Sequence, residues 1–297
     1  MLNGVRVLLL AVLVLTGGVG VASARETVEQ RIEELLPGTT LLLPEGQGPF
    51  PVVIQMHGCG GVKKLQAQWA PVAQSAGWAV LVVDSYAHRN ISTLEAYSTV
   101  CLGLRLWGRE RAGDLYSMME WIRHQPWADP QRIAVAGWSH GGWTALDAMA
   151  LQPGEEAARE TKLDGLPAEP LEGLVGVFML YPYAGPGCIA RTRGLRVDPP
   201  IQALVGASDV IVGGRGLGRA LERLPTSGQP IHVTVLEGAT HAFDEQETRD
   251  LRTHYDATLT SQAHAMYTSF LREAATRRST IGPLAPQLAA TAAAPAR

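Results

Sequence analysis

A mostly parallel, doubly wound α/β sheet is the fold class that the sequence predicts, on three observations. Six compact runs of aliphatic and β-branched residues recur along the chain, the pattern of strands buried on both faces. Longer stretches with three- and four-residue apolar spacing separate them, and strand alternating with helix implies a parallel sheet. The 297 residues are 46% hydrophobic and 18% charged, the composition of a folded globular chain that can form one α/β domain of this size.

The elements follow in order. Residues 1–24, MLNGVRVLLLAVLVLTGGVGVASA, read as a secretory signal peptide. Arg6 supplies the basic start, Val7–Leu15 the apolar core, and Ala22-Ser23-Ala24 the small-residue cleavage pattern. The apolar core is shorter than the ~20 residues of a spanning helix, so export to the periplasm or beyond is expected, without stable membrane association after cleavage. Residues 25–281 form the predicted domain. TVEQRIEELL reads as a short helix and TTLLLPEG as a possible strand. The six runs are PVVIQMHG, WAVLVVDSY, RIAVAGWS, GLVGVFMLYPY, PIQALVGASD and IHVTVLEGATH. Among the intervening pieces, RERAGDLYSMMEWIRHQ places Ala112, Leu115, Met119 and Ile122 on one helix face, and Trp143–Met149 is helix-like. Gly213–Gly218 lacks the G-x-G-x-x-G spacing and has no strand leading straight into it, so it reads as a flexible linker before the RALERL helix. Residues 282–297 are rich in Ala and Pro and lack large apolar side chains, so a flexible tail is expected.

In a doubly wound sheet the ligand site lies beyond the carboxyl ends of the strands. Gly137-Trp138-Ser139-His140-Gly141 falls at such a point, between a strand and a helix. G-x-S-x-G is a weak signal alone, but this context is that of a nucleophile elbow, where glycines permit a sharp turn. A serine hydroxyl needs a base and an orienting acid. His241 and Asp209 close the two last strand-like runs in the Ser, acid, His order of this arrangement. Asp209 could instead cap the helix that follows it, and His241 could be a surface loop residue; it is their coincidence with Ser139 that favours catalysis. Asp244, three residues after His241, is the rival acid, with a harder approach to the imidazole.

An oxyanion needs two backbone N–H donors. The His140 amide, next after the serine, is one candidate. The turn His57-Gly58-Cys59-Gly60-Gly61 supplies the other, with Cys59 as first choice and Gly60 as second. Cys59 could alternatively be a nucleophile itself. His57 reads as a brace for its loop, and His88 and His140 as structural or pocket-lining residues. No metal-ligand spacing occurs, so no metal is expected. The formal net charge of −3, with no basic block, gives no footprint for nucleic acid.

MHGCGG, DSY, the block RAGDLYSMMEWIRHQPWADPQRIAVAGWSHGG, GASD and THAFD together resemble the dienelactone hydrolase family of α/β-hydrolases, over roughly residues 40–275. The resemblance implies a sheet of about eight strands in a single domain without a large lid, cofactor-free hydrolysis of small esters or lactones, and a triad of Ser139, Asp209 and His241. The founding members of that family carry cysteine in the elbow, and Ser139 in its place makes a general carboxylester hydrolase the better description. Tyr86, after DSY, is expected either to line an acyl-binding pocket or to pack beneath the oxyanion loop. A peptidase of the same fold would require a gating domain for which the length leaves no room. A non-catalytic binding protein on this scaffold would be expected to have lost a triad member. Three cysteines allow at most one internal bridge; Cys101 with Cys188, both in loop-like segments, is the favoured pair, and three free thiols are the alternative.

Overall fold

The computed structural model describes residues 25–282 except 227 and 249. The expected signal peptide, and all of the expected tail 282–297 but Gly282, lie outside the described residues. Seven strands form one sheet: β1 (Thr40–Leu42), β2 (Phe50–Met56), β3 (Ala79–Val83), β4 (Ala128–Trp138), β5 (Leu174–Leu180), β6 (Ile201–Gly206) and β7 (His232–Leu236). Their spatial order is β1-β3-β2-β4-β5-β6-β7. β1 runs antiparallel to β3, and every other neighbouring pair is parallel. Each run expected as a strand is one.

Among the described residues, the α-helices longer than four residues are α1 (Val28–Leu35), α2 (Lys64–Ser75), α3 (Gly108–Arg123), α4 (His140–Ala150), α5 (Glu155–Thr161), α6 (Gly214–Glu222) and α7 (Ala257–Ala275). Thr27 starts α1 with a capping box, its Oγ1 accepting from Gln30 N while Gln30 Oε1 accepts from Thr27 N. Successive strand residues point to opposite faces, which explains why the runs are apolar without alternation. Ile54, Leu81 and Val135 pack into one core with α1, α3, α4 and α6, whereas Val53, Val80 and Ala134 pack into the other with α2 and α7. The sheet is therefore covered on both sides, and its strand ends are left to carry the site.

Two local readings are revised. Gly213–Gly218 is not a linker, because α6 begins at Gly214. Gly213 and Gly214 have φ of +103° and +51°, and a Cβ on Gly214 would lie 2.9 Å from Ala207 O. These glycines let the chain reverse tightly against the β6 loop, while Leu217 and Leu221 anchor the helix in the core. Secondly, α3 is buried on more than the expected apolar stripe, since Arg111 and Asp114 are fully enclosed. Asp114 accepts from Arg31 on α1 at 2.6 Å and from Arg89 at 2.8 Å. Burial alone would raise this carboxyl, but the two guanidinium groups hold it well below the usual carboxylate range.

Candidate active site

Ser139 stands between β4 and α4 at φ 49°, ψ −107°, a conformation that costs a non-glycine residue energy and persists only when its surroundings impose it. The glycines around it explain how. A Cβ on Gly141 would lie 2.0 Å from Met56 O, one on Gly142 2.5 Å from Pro182 Cβ, and one on Gly137 2.6 Å from Gly141. Only hydrogen at these positions lets the helix start pressed against the ends of β2 and β5. Ser139 N donates to Leu180 O at 2.9 Å, and Tyr183 N donates to Ser139 O at 3.0 Å, which fixes the turn from both sides.

The three residues expected from strand-end positions meet. His241 Nδ1 lies 2.8 Å from Asp209 Oδ2, and His241 Nε2 lies 3.1 Å from Ser139 Oγ. A carboxylate only accepts, so Nδ1 carries the ring proton and Nε2 is left to accept from the serine hydroxyl. Asp209 is held in turn, its Oδ1 accepting from Ile211 N at 2.9 Å and Val212 N at 3.1 Å. The rival acid points elsewhere. Asp244 accepts from Tyr181 Oη at 2.7 Å and from Trp138 Nε1 at 3.2 Å. Burial raises its carboxyl to about 6 against the pull of those donors.

Tyr181 was not singled out in the sequence, yet its ring lies 4.6 Å from that of His241. Its φ of 38° swings the side chain out of β5 toward the imidazole. Tyrosine at the end of GLVGVFMLYPY was the available signal, but aromatic residues at strand ends are too common to be read as placement.

Cys59, Gly60, Ser139, His140 and His241 all line one cavity of about 1010 Å³. His140 is the first residue of α4, so its N–H has no acceptor within the helix. Beneath these residues is a buried brace centred on Arg111. Its Nη1 donates to His57 O at 2.7 Å and to His140 Nδ1 at 3.2 Å, and its Nε donates to Ser85 Oγ at 2.8 Å. One guanidinium thus ties the HGCGG turn to the elbow. His140 accepts through Nδ1 and donates through Nε2–H to Leu106 O at 2.8 Å. Burial and the Arg111 charge pull its pKa down to about 3, so the ring stays neutral.

His57 accepts from Ser85 N at 3.2 Å and donates through Nδ1–H to Gly58 O, so it braces its loop. Burial, and then Arg111, hold it well below the ordinary histidine range. Tyr86 lies under the loop instead of in the cavity wall: it is buried, its hydroxyl donates to Cys59 O at 2.8 Å, and its ring packs edge-on to His57 at 4.6 Å. This corrects the acyl-pocket alternative for Tyr86. His88, lowered to about 4 by burial and Arg89, is likewise absent from the cavity lining.

The cysteine pairing is also corrected. The disulfide joins Cys59 to Cys101, not Cys101 to Cys188. The segment after β3 folds back over the cavity mouth and brings Cys101 to the HGCGG turn, with Cα atoms 5.1 Å apart. Loop-like sequence reports exposure, not proximity, so the spacing could not identify the partner. Cys188 is buried beside Asp147, and burial and that carboxyl push its thiol up. The bridge also leaves Cys59 without a free thiol to act as a nucleophile. Among the described residues no group of three or more His, Cys, Asp or Glu could hold a metal ion.

Comparison with known proteins bears on the same features. The prolyl oligopeptidase family model matches residues 74–155, the span from the end of α2 through the elbow and α4. A protein assigned as a dienelactone hydrolase from Klebsiella pneumoniae superposes with a TM-score of 0.59 at 16% identity, covering 78% of this chain and 91% of that one. A dienelactone hydrolase from Anabaena variabilis gives 0.52 at 21% identity, covering 79% and 90%. Esterase 2 of Thermogutta terrifontis, phosphoramylated by tabun, gives 0.53 at 15% identity, covering 79% and 88%. The chain has the α/β-hydrolase fold. Within that fold it superposes on dienelactone hydrolases and an esterase, the architecture that the resemblance carried by MHGCGG and GWSHGG implied.

Proposed function

We propose that this protein is a serine hydrolase of carboxylic esters or lactones that works through an acyl-enzyme. The observation that carries this reading is the unbroken relay from Ser139 Oγ through the His241 ring to Asp209, opening on a cavity. In the proposed cycle Ser139 Oγ attacks the ester carbonyl as His241 Nε2 takes its proton. The amides of Cys59 and His140 receive the oxyanion, and Asp209 stabilises the imidazolium. Collapse of the tetrahedral adduct breaks the acyl C–O bond, and His241 returns the proton to the departing alcohol. Water, deprotonated by His241, then attacks the acyl carbon; the acyl–Oγ bond breaks, His241 returns the proton to Ser139 Oγ, and the acid leaves. No step calls for a metal or cofactor.

We also propose that the protein is exported. The Cys59–Cys101 disulfide supports this, because such bonds persist in oxidising compartments. Among the described residues no helix is long and apolar enough to cross a membrane. The prolyl oligopeptidase match favours a second reading, amide hydrolysis at the same serine. Paired p-nitrophenyl esters and p-nitroanilides of one acyl group separate the two, and faster ester turnover is expected.

Ser139→Ala should lower kcat on p-nitrophenyl acetate by about a thousandfold or more. A fluorophosphonate should label the wild-type protein at Ser139. Retention of most turnover by Ser139→Ala would refute the assignment, and a folded wild-type protein that takes no label would point to a non-catalytic binding scaffold.

A further inference from the structure

Ten large apolar side chains are exposed among the described residues, and seven of them either line the catalytic cavity or sit beside a residue that does. Scattered exposed leucines need no explanation, but a concentration around one opening does. Leu94, Tyr97, Leu102 and Leu104 lie on the segment that follows β3, where Leu94 is 81% and Leu104 73% exposed. Across the mouth stand Val210, next to lining residue Ile211, and Leu251, 93% exposed between lining residues Asp250 and Arg252.

The segment over the mouth is apolar on both sides. Its underside, Ile91, Ala96 and Val100, packs with Tyr86 and Leu106 in a small separate core. A surface segment ordinarily turns polar residues outward once its apolar face is buried. This one turns out three leucines, and the Cys59–Cys101 bridge pins them to the turn that carries the proposed oxyanion donor.

Among the described residues of the cavity lining, charge cancels. The Lys, Arg, Asp and Glu residues of the cavity lining form three internal pairs: Lys63 with Glu245 at 2.6 Å, Lys64 with Glu247 at 2.6 Å, and Arg252 with Asp250 at 2.6 Å. Among the described residues no lining cation is left over to recognise an anionic substrate or an anionic lipid headgroup. An uncharged apolar partner loses nothing by meeting such a surface.

We propose that the substrate of this site is an uncharged ester with an extended apolar portion, taken from a water-insoluble phase that the apolar rim seats against the cavity mouth. The proposal rests on the serine hydrolase reading above and replaces the small soluble ester expected from the sequence with a more apolar class.

Two probes test it: p-nitrophenyl acetate in solution and trioctanoylglycerol as a neutral emulsion. The variant is Leu94→Ser, Leu104→Ser and Leu251→Ser combined, three exposed positions outside the cavity lining. The wild-type protein should hydrolyse both probes. The variant should keep acetate turnover within about twofold, which also shows that it folds, and lose about tenfold or more on the emulsion. On the Ser139→Ala background, adsorption to the emulsion should fall with the same three changes, independently of turnover. A wild-type protein that cleaves acetate but neither cleaves nor adsorbs to the emulsion overturns the proposal and leaves the hydrolase reading intact. Equal losses on the two probes, or a dimer that the three changes dissociate, also overturn it, the latter by assigning the rim to a second copy of the chain. Absence of turnover on both probes would refute the hydrolase reading, and this proposal with it.

Discussion

Ser139, His241 and Asp209 are each at most 9% exposed, whereas Leu94 and Leu104 on the rim of the same cavity are 81% and 73% exposed. The floor is placed by constraints that allow little alternative: glycines whose hydrogens touch neighbouring backbone, a strained serine, and buried side chains whose polar atoms bond one another. The rim is held by one disulfide, a few paired surface charges and a small core of its own. The difference separates two requirements. Chemistry needs atoms fixed to within fractions of an ångström, and the packed interior provides that. Choice of substrate needs a surface, which can change without disturbing the floor.

The largest effect that would break this division is expected at Arg111. It bonds to no reacting atom, so it is a positioning residue that joins the two proposed oxyanion amides through His57 O and His140 Nδ1. Arg111→Met should lower kcat on p-nitrophenyl acetate by roughly 10- to 100-fold with KM nearly unchanged, because the amides act on the transition state. Denaturant unfolding should show a stability loss of about 2–4 kcal/mol, from the buried acceptors left unpaired. A variant that loses stability while keeping wild-type kcat would make Arg111 a structural residue only. Burial already lowers the arginine to about 10. Lysine, which has no fork to span the same acceptors, should not restore kcat.

Floor and rim also differed in how far they could be read from sequence. That Ser139, His241 and Asp209 would meet was legible because a parallel sheet puts the residues after its strands on one edge, so order along the chain translates into position. The glycines of GWSHGG were legible for the same local reason. Arg111 was not, although its helix was, since it is one of several charged residues opening that helix (Arg109, Glu110, Asp114) and its partners belong to three distant segments, at His57, Ser85 and His140. The Cys59–Cys101 bridge was missed because it depends on how a loop folds back, and loop sequence carries no comparable periodic signal. The six strand runs were recovered, whereas Gly213–Gly218 was misread because glycine suggests freedom until its neighbours are known.

A medium effect should come from the tie between the two regions. Cys59→Ser combined with Cys101→Ser removes the bridge but keeps the residue 59 backbone amide. The closed loop spans a sequence separation of 42, so the loss of stability should be about 2–4 kcal/mol. Turnover of acetate should fall only a fewfold, while KM for bulkier esters should rise as the rim loosens. If kcat on acetate instead collapsed as far as in Arg111→Met, the bridge would belong to the floor.

The smallest effect on turnover, and the one that sharpens the comparison most, concerns Asp147 on α4, behind the elbow. It is fully buried, and its Oδ1 accepts from Ile189 N at 2.8 Å. Burial raises its carboxyl from 3.8 to about 7, opposed by the Cys188 thiol and the two backbone donors beside it. The folded protein therefore keeps a proton that the unfolded chain releases above about pH 4. Its stabilising contribution is complete below that pH and is lost as pH rises toward 7. Asp244, raised to about 6, slopes the same way, while buried neutral His57 and His140 lower stability as pH falls below 6.5. Asp147→Asn retains an acceptor for Ile189 and cannot ionise. Urea midpoints of the two proteins should diverge between pH 4 and 7, the wild type losing on the order of 3 kcal/mol relative to the variant. Among the described residues the rim has no buried carboxyl raised in this way, so activity on an emulsion and on acetate should change in parallel across that range. An unchanged slope in Asp147→Asn would mean that the carboxyl is already ionised in the folded protein, and that the space behind the elbow is wetter than its packing implies.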